Sequence, residues 1–196
     1  YELASCLVGS EMCIRDRAQG TCTQTTWHSL PAVDCRSTPK RTVLPTEQQY
    51  GGHSVEAITG SLMLYGQALT EIPAGGFDAC PYTAATELYL NNNGITTVGA
   101  RAFARLTALT WLVLSFNAIT WMAATSLDGL TKLEWLYLRD NRLGAFDYGA
   151  LAPMAALRSL WLKYQGGGDV SCGGKDQWSN KLAGIAAAVA ACARRW

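Results

Sequence analysis

The chain has 196 residues, enough for one sizeable domain and too few for two comfortable ones. Apolar residues make up 49% and charged residues 16%, a globular composition that excludes a disordered chain. The net charge of +1 lacks the basic excess of a nucleic-acid binder, and no run of about 18 apolar residues is present to span a membrane.

Residues 7–17 read LVGSEMCIRDR. This string resembles the in-frame translation of a transposase-type sequencing adapter. Residues 1–17 are therefore expected to be non-native and to stand outside the fold. Native sequence is then expected from near Ala18, with the true N-terminus and any signal peptide lost. Setting residues 1–17 aside removes Cys6 and Cys13 from an odd total of seven cysteines. Cys22, Cys35, Cys80, Cys172 and Cys192 are left.

Residues 18–53 carry Cys22, the string AVDC at 32–35 and VLP at 43–45. From 54 to 167 the chain is organised by a repeat. The pattern Leu-x-Leu recurs at Leu62/Leu64, Leu88/Leu90, Leu112/Leu114, Leu136/Leu138 and Leu160/Leu162, with spacings of 26, 24, 24 and 24. Three residues after each second Leu comes Gln67, Asn93, Asn117, Asn141 or Gln165. Further apolar columns follow, among them Phe77, Phe103, Leu127 and Leu151, then Cys80, Leu106, Leu130 and Met154. Pro81 and Tyr82 fit the two-residue insertion. Periods of this length mark a solenoid, in which each turn buries its apolar face only against its neighbours.

The stretch LTALTWLVLSFNAITWMAATSLDGLTKLEWLYLRDNRL resembles the 24-residue leucine-rich repeat of extracellular receptors, as in the Toll-like and variable lymphocyte receptor families. The resemblance implies an α/β solenoid. It would be a curved horseshoe segment with short parallel strands on the concave face. Its convex side would be mostly loop and short helix. About five repeats are expected over 54–167, between a partial cysteine-containing cap at 18–53 and a C-terminal cap at 168–196. Alternation points both Leu of each pair inward and their neighbours to solvent. Asn93, Asn117 and Asn141 are expected to turn inward, where a carboxamide satisfies backbone groups of adjacent turns.

Trp178, Leu182, Ile185, Val189, Cys192 and Trp196 recur at steps of three and four, which predicts a C-terminal capping helix with Ser179 as N-cap. The alternatives are the beginning of a membrane anchor, or frame-shifted read-through. By the same resemblance, Cys22–Cys35 and Cys172–Cys192 are candidate disulfides. Cys80 occupies a repeat Leu position and is expected as a buried thiol acting as a small apolar residue.

The register defines three solvent-facing columns. They are Ser61, Glu87, Trp111, Trp135 and Ser159; Met63, Tyr89, Val113, Tyr137 and Trp161; and Tyr65, Asn91, Ser115, Arg139 and Lys163. Six of these fifteen residues are Tyr or Trp, against 10% aromatics in the whole chain. Aromatics with an Arg are the usual anchors of binding hot spots. Tyr65, Tyr89, Trp111, Trp135, Tyr137, Arg139, Trp161 and Lys163 are therefore the candidate ligand-binding residues. The competing reading is that aromatics favour strands and pack on one another.

No metalloprotease, nucleophile-elbow or phosphate-loop motif occurs, and the two histidines, His28 and His53, lie outside the repeats. The expected function is a non-enzymatic module binding a protein, peptide or glycan on its concave face, with no cofactor, metal or nucleic acid. It would be a fragment of a secreted or cell-surface receptor-like protein. The alternatives are a regulatory repeat segment of a larger receptor kinase and a cytoplasmic scaffold without disulfides.

Overall fold

The computed structural model describes residues 23–27, 30–34, 44, 59–78, 80, 83–144, 146, 148–151, 153–162, 164–166 and 178–179. Short strands recur along them: β1 (Thr23–Trp27), β2 (Leu30–Asp34), β3 (Ser61–Met63), β4 (Glu71–Ile72), β5 (Glu87–Tyr89) and β6 (Thr97–Val98). They continue as β7 (Trp111–Val113), β8 (Trp121–Met122), β9 (Trp135–Tyr137), β10 (Ser159–Trp161) and β11 (Trp178–Ser179). A 3-10 turn covers Tyr148–Leu151.

Eight strands form one sheet in the order β1-β2-β3-β5-β7-β9-β10-β11. From β2 to β10 every neighbouring pair is parallel. The register carries the sequence repeat directly into space, with Leu62, Leu88, Leu112, Leu136 and Leu160 aligned across consecutive strands. A second sheet, β4-β6-β8, aligns Ile72, Val98 and Met122 on the far side of each coil. Between the sheets lies one continuous core of the Leu columns, Ile95, Ile119 and the ring pair Phe77–Phe103, whose centroids are 5.5 Å apart. Cys80 is buried in that core, in its repeat position. Burying a leucine contributes about 1.5–3 kcal/mol, so these columns supply most of the drive to stack coils.

Burial alone does not fix the pitch. The coils are held in step by a ladder of carboxamides. Asn117 Nδ2 donates to Leu114 O of its own turn (2.9 Å) and to Leu90 O of the preceding turn (3.0 Å). Its Oδ1 accepts from Ile95 N of the preceding turn at 3.2 Å. Asn93 repeats the pattern on Leu90 O, Leu64 O and Leu69 N, and Asn141 on Leu138 O, Leu114 O and Ile119 N. Gln165 does the same with its longer side chain, on Leu162 O, Leu138 O and Leu143 N. Thr86 and Thr110 add a second rail, each hydroxyl donating to the carbonyl of the residue one turn back.

At Gly99 the coils pack too closely for a side chain. A Cβ at Gly99 would lie 2.3 Å from Ala74 N, against backbone rather than a movable side chain.

An open solenoid exposes strand edges at both ends. At one end β1 and β2 form a hairpin, with Trp27 opposite Leu30, and β2 adds in parallel to β3. At the other end β11 pairs antiparallel with β10, placing Trp178 opposite Leu160. This corrects the helical stripe at its first residue. Trp178 lies in a strand because the free edge of β10 supplies backbone partners that a helix would not use. The remainder of that stripe, residues 1–17 and the cysteines Cys22, Cys35, Cys172 and Cys192 lie outside the described residues.

Replacing Asn117 by Leu leaves Ile95 N unpaired in the interior and removes one of two carboxamide donors from each of Leu90 O and Leu114 O, which keep Asn93 Nδ2 and Asn141 Nδ2. Thermal or urea unfolding of Asn117→Leu is expected to show a loss of about 1–3 kcal/mol, and an unchanged midpoint would contradict the ladder's role.

Candidate functional site

The concave face is the outward side of the large sheet, and its centre is a run of stacked rings. In-register pairing places Trp111 beside Trp135, and Val113 beside Tyr137, which in turn neighbours Trp161. Trp111 stacks on Trp135 with centroids 5.2 Å apart, and also on Tyr137 at 5.2 Å. Tyr137 meets Trp161 at 5.5 Å with a 35° tilt. All four residues are half-buried. Strands are spaced about 4.7–4.9 Å apart, close to the distance at which aromatic rings stack, so the sheet itself sets the ring spacing. Trp161 Nε1 is fixed by donating to Ser159 Oγ at 2.8 Å.

Glu87 lies two strands before Trp135 in the same column. Its Oε2 accepts from Ser61 Oγ and from Tyr89 OH, the latter at 3.2 Å. The aromatic run is thus bordered by one anchored carboxylate. Tyr65 is half-buried beside that end.

Arg139 borders the run two residues past Tyr137, beyond the end of β9. Its guanidinium carbon lies 5.1 Å from the Phe116 ring centroid and 5.7 Å from that of Tyr164. Its Nε donates to Asp140 Oδ2 at 2.6 Å. Each ring attracts the cation by about 0.5–1 kcal/mol at such exposure. Lys163 belongs to the same column but lies outside the described residues.

Phe116 and Tyr164 were not among the sequence candidates, and they are unusual. They occupy the column just before the carboxamide ladder, where the backbone takes a left-handed turn. Gly66, Asn92, Phe116, Asp140 and Tyr164 have φ of 67°, 56°, 56°, 54° and 60°. Gly, Asn and Asp tolerate that geometry, whereas bulky side chains there cost about 1–3 kcal/mol. Both rings are nonetheless exposed, at 47% and 54%. The column was visible in the sequence as the residue before each Asn or Gln. Its left-handed geometry has no hydrophobic signature, so nothing in the sequence singled the two aromatics out.

Four positions expected to face solvent are buried: Ser61, Met63, Ser115 and Ser159. Alternation predicts which way a side chain points, not what covers it. Ser61 and Ser159 are covered through their bonds to Glu87 and Trp161, and Met63 sits between Asp34 and Tyr89 in register. Ser115 precedes Arg139 by one turn, and its buried hydroxyl has no hydrogen-bond partner among the described residues. Among the described residues no group of three His, Cys, Asp or Glu side chains could hold a metal ion, and no helix is long and apolar enough to cross a membrane.

Two overlapping stretches, residues 61–119 and 83–143, match the family model described as leucine rich repeat. The chain is similar, at 28% identity, to a chain in the crystal structure of a TLR13–ssRNA13 complex. That likeness covers 50% of this chain and 14% of the other, with a TM-score of 0.47. No curated protein matches.

Burial raises the Tyr137 phenol above the usual 10.0. The folded chain therefore keeps this proton where the unfolded chain has released it. The stability involved is intact below pH 10 and is lost as pH rises through the folded value. Between about pH 8 and about pH 11 the wild type is expected to lose more melting temperature than Tyr137→Phe. Equal losses would contradict a shifted, half-buried phenol.

Proposed function

From the premise that residues 61–143 form leucine-rich repeats, we propose that this chain is a non-enzymatic recognition module. It holds a protein, peptide or glycan ligand on its concave face. The observation that carries this reading is the run Trp135–Trp111–Tyr137–Trp161. These four large rings stack on one another on a regular sheet, yet stay only half-buried.

Rings held in this way lose little freedom when a ligand arrives, which favours affinity per contact. Their faces are partly spent on one another, so the ligand meets ring edges and polar tips. Ring edges suit apolar side chains, backbone carbonyls and sugar hydroxyls. A nucleic acid is disfavoured by the net charge of +1, which leaves little counterion release to gain. The family resemblance and the cysteines near both ends support a secreted or cell-surface setting, as part of a longer receptor-like protein.

The test uses three probes on the full chain: a random-peptide phage library, a glycan array and a pool of single-stranded RNA. Peptides or glycans selected on the wild type are expected to bind at least about tenfold more weakly to the combined Trp111→Ala, Trp135→Ala, Trp161→Ala variant, a loss of about 1.4 kcal/mol. Trp121, 56% exposed on the second sheet, provides the control, and Trp121→Ala is expected to bind normally. Unchanged binding by a cooperatively folding triple variant, or selection of RNA alone, would contradict the proposal.

A further inference from the structure

We infer that the concave face reads the charge polarity of an extended peptide, holding an acidic group at Arg139 and a basic group at Glu87. This rests on the reading that the concave face binds ligands, and it narrows that ligand to a peptide with opposite charges at a set separation.

Three observations converge on the Arg139 end. First, Asp140 engages Nε, while a guanidinium has four further N–H donors, for which no bond is seen among the described residues, in a fork suited to a carboxylate. Second, the flanking rings Phe116 and Tyr164 are held at left-handed backbone positions while remaining about half exposed. Strain of that kind persists where surrounding structure imposes it, and it concentrates at ligand clamps. Folding alone does not call for aromatic rings there, since Asn92 and Asp140 fill the same column with φ of 56° and 54°. The rings do flank Arg139, which limits its rotamers before any ligand arrives. Third, Ser115, in the same column one strand before Arg139, keeps a buried hydroxyl that no group among the described residues satisfies.

The Glu87 end is built in the opposite sense. Ser61 and Tyr89 both donate to one carboxylate oxygen, so the group is fixed in place and its second oxygen can accept from a ligand cation. Trp111, Trp135 and Tyr137 lie between the two ends, and Trp161 lies one strand beyond Arg139. Glu87 and Arg139 are separated by two strand spacings and four residues along the strand direction. With about 4.8 Å between strands and about 3.3 Å per residue, the diagonal is about 16 Å. An extended peptide covers that span in about five residues. The recognised ligand is thus a peptide with an acidic and a basic residue about five positions apart, separated by apolar or aromatic residues.

The experiment selects a random-dodecapeptide phage library on the full chain and on three variants: Arg139→Gln, Glu87→Gln and Phe116→Asn. Wild-type selection is expected to enrich opposite charges at the stated separation. Arg139→Gln is expected to erase the acidic preference alone and to weaken wild-type peptides at least about tenfold. Glu87→Gln is expected to erase the basic preference alone. Phe116→Asn relieves backbone strain, so it is expected to melt no lower than wild type while binding acidic peptides more weakly. If Phe116→Asn melts lower and selects the same peptides, the rings serve folding and the inference is overturned. Identical charge preferences from wild type and Arg139→Gln also overturn it. If those same peptides still require Trp111, Trp135 and Trp161, the concave-face reading survives that result. No enriched peptide from the wild type overturns this inference, while a glycan selected in the same hands leaves the broader reading standing.

Discussion

A buried backbone group must find a hydrogen-bond partner, and every coil of this solenoid buries several just past its strand. The carboxamides of Asn93, Asn117, Asn141 and Gln165 answer that need by joining each turn to the one before it. An amide is suited to the task because it donates twice and accepts once or more from a single planar group. The left-handed residue ahead of each amide bends the chain so that the side chain turns inward. Leucine burial drives the coils together, while the ladder decides their register.

The candidate binding face inherits that register. Because the strands are locked at one spacing, side chains 24 residues apart become neighbours at stacking distance. Trp111 and Trp135 touch for that reason, and Arg139 comes to lie between Phe116 and Tyr164 for the same reason. The face is therefore stiff, with charges of opposite sign at fixed places and Trp111, Trp135 and Tyr137 between them. On the proposed reading such a surface selects by spacing and polarity more than by area, since buried area converts poorly into affinity.

Much of this was legible in the sequence, because burial repeats every 24 residues and each column keeps its chemistry. The aligned Leu pairs, the inward Asn positions and the aromatic enrichment of one face could all be read from spacing. Other features could not. The left-handed column has no apolar pattern, so Phe116 and Tyr164 carried no signal as a clasp. Alternation assigned Ser61, Ser115 and Ser159 to the outward face, but neighbours from other turns decide their exposure. Trp178 fitted a helical stripe, yet the open edge of β10 offered a stronger partner than local periodicity. In each case a contact between distant parts of the chain outweighed a local rule.

Native-state hydrogen exchange at single-residue resolution tests the central claim most directly. The amides of Leu69, Ile95, Ile119 and Leu143 donate to the ladder carboxamides rather than to another strand. If the ladder holds the coils together, these four exchange only through global unfolding, as slowly as the amides of the central strands β5, β7 and β9. Exchange at the fast rate of exposed turn residues, with the strand amides still protected, would show that coils stack without the ladder and would contradict the account.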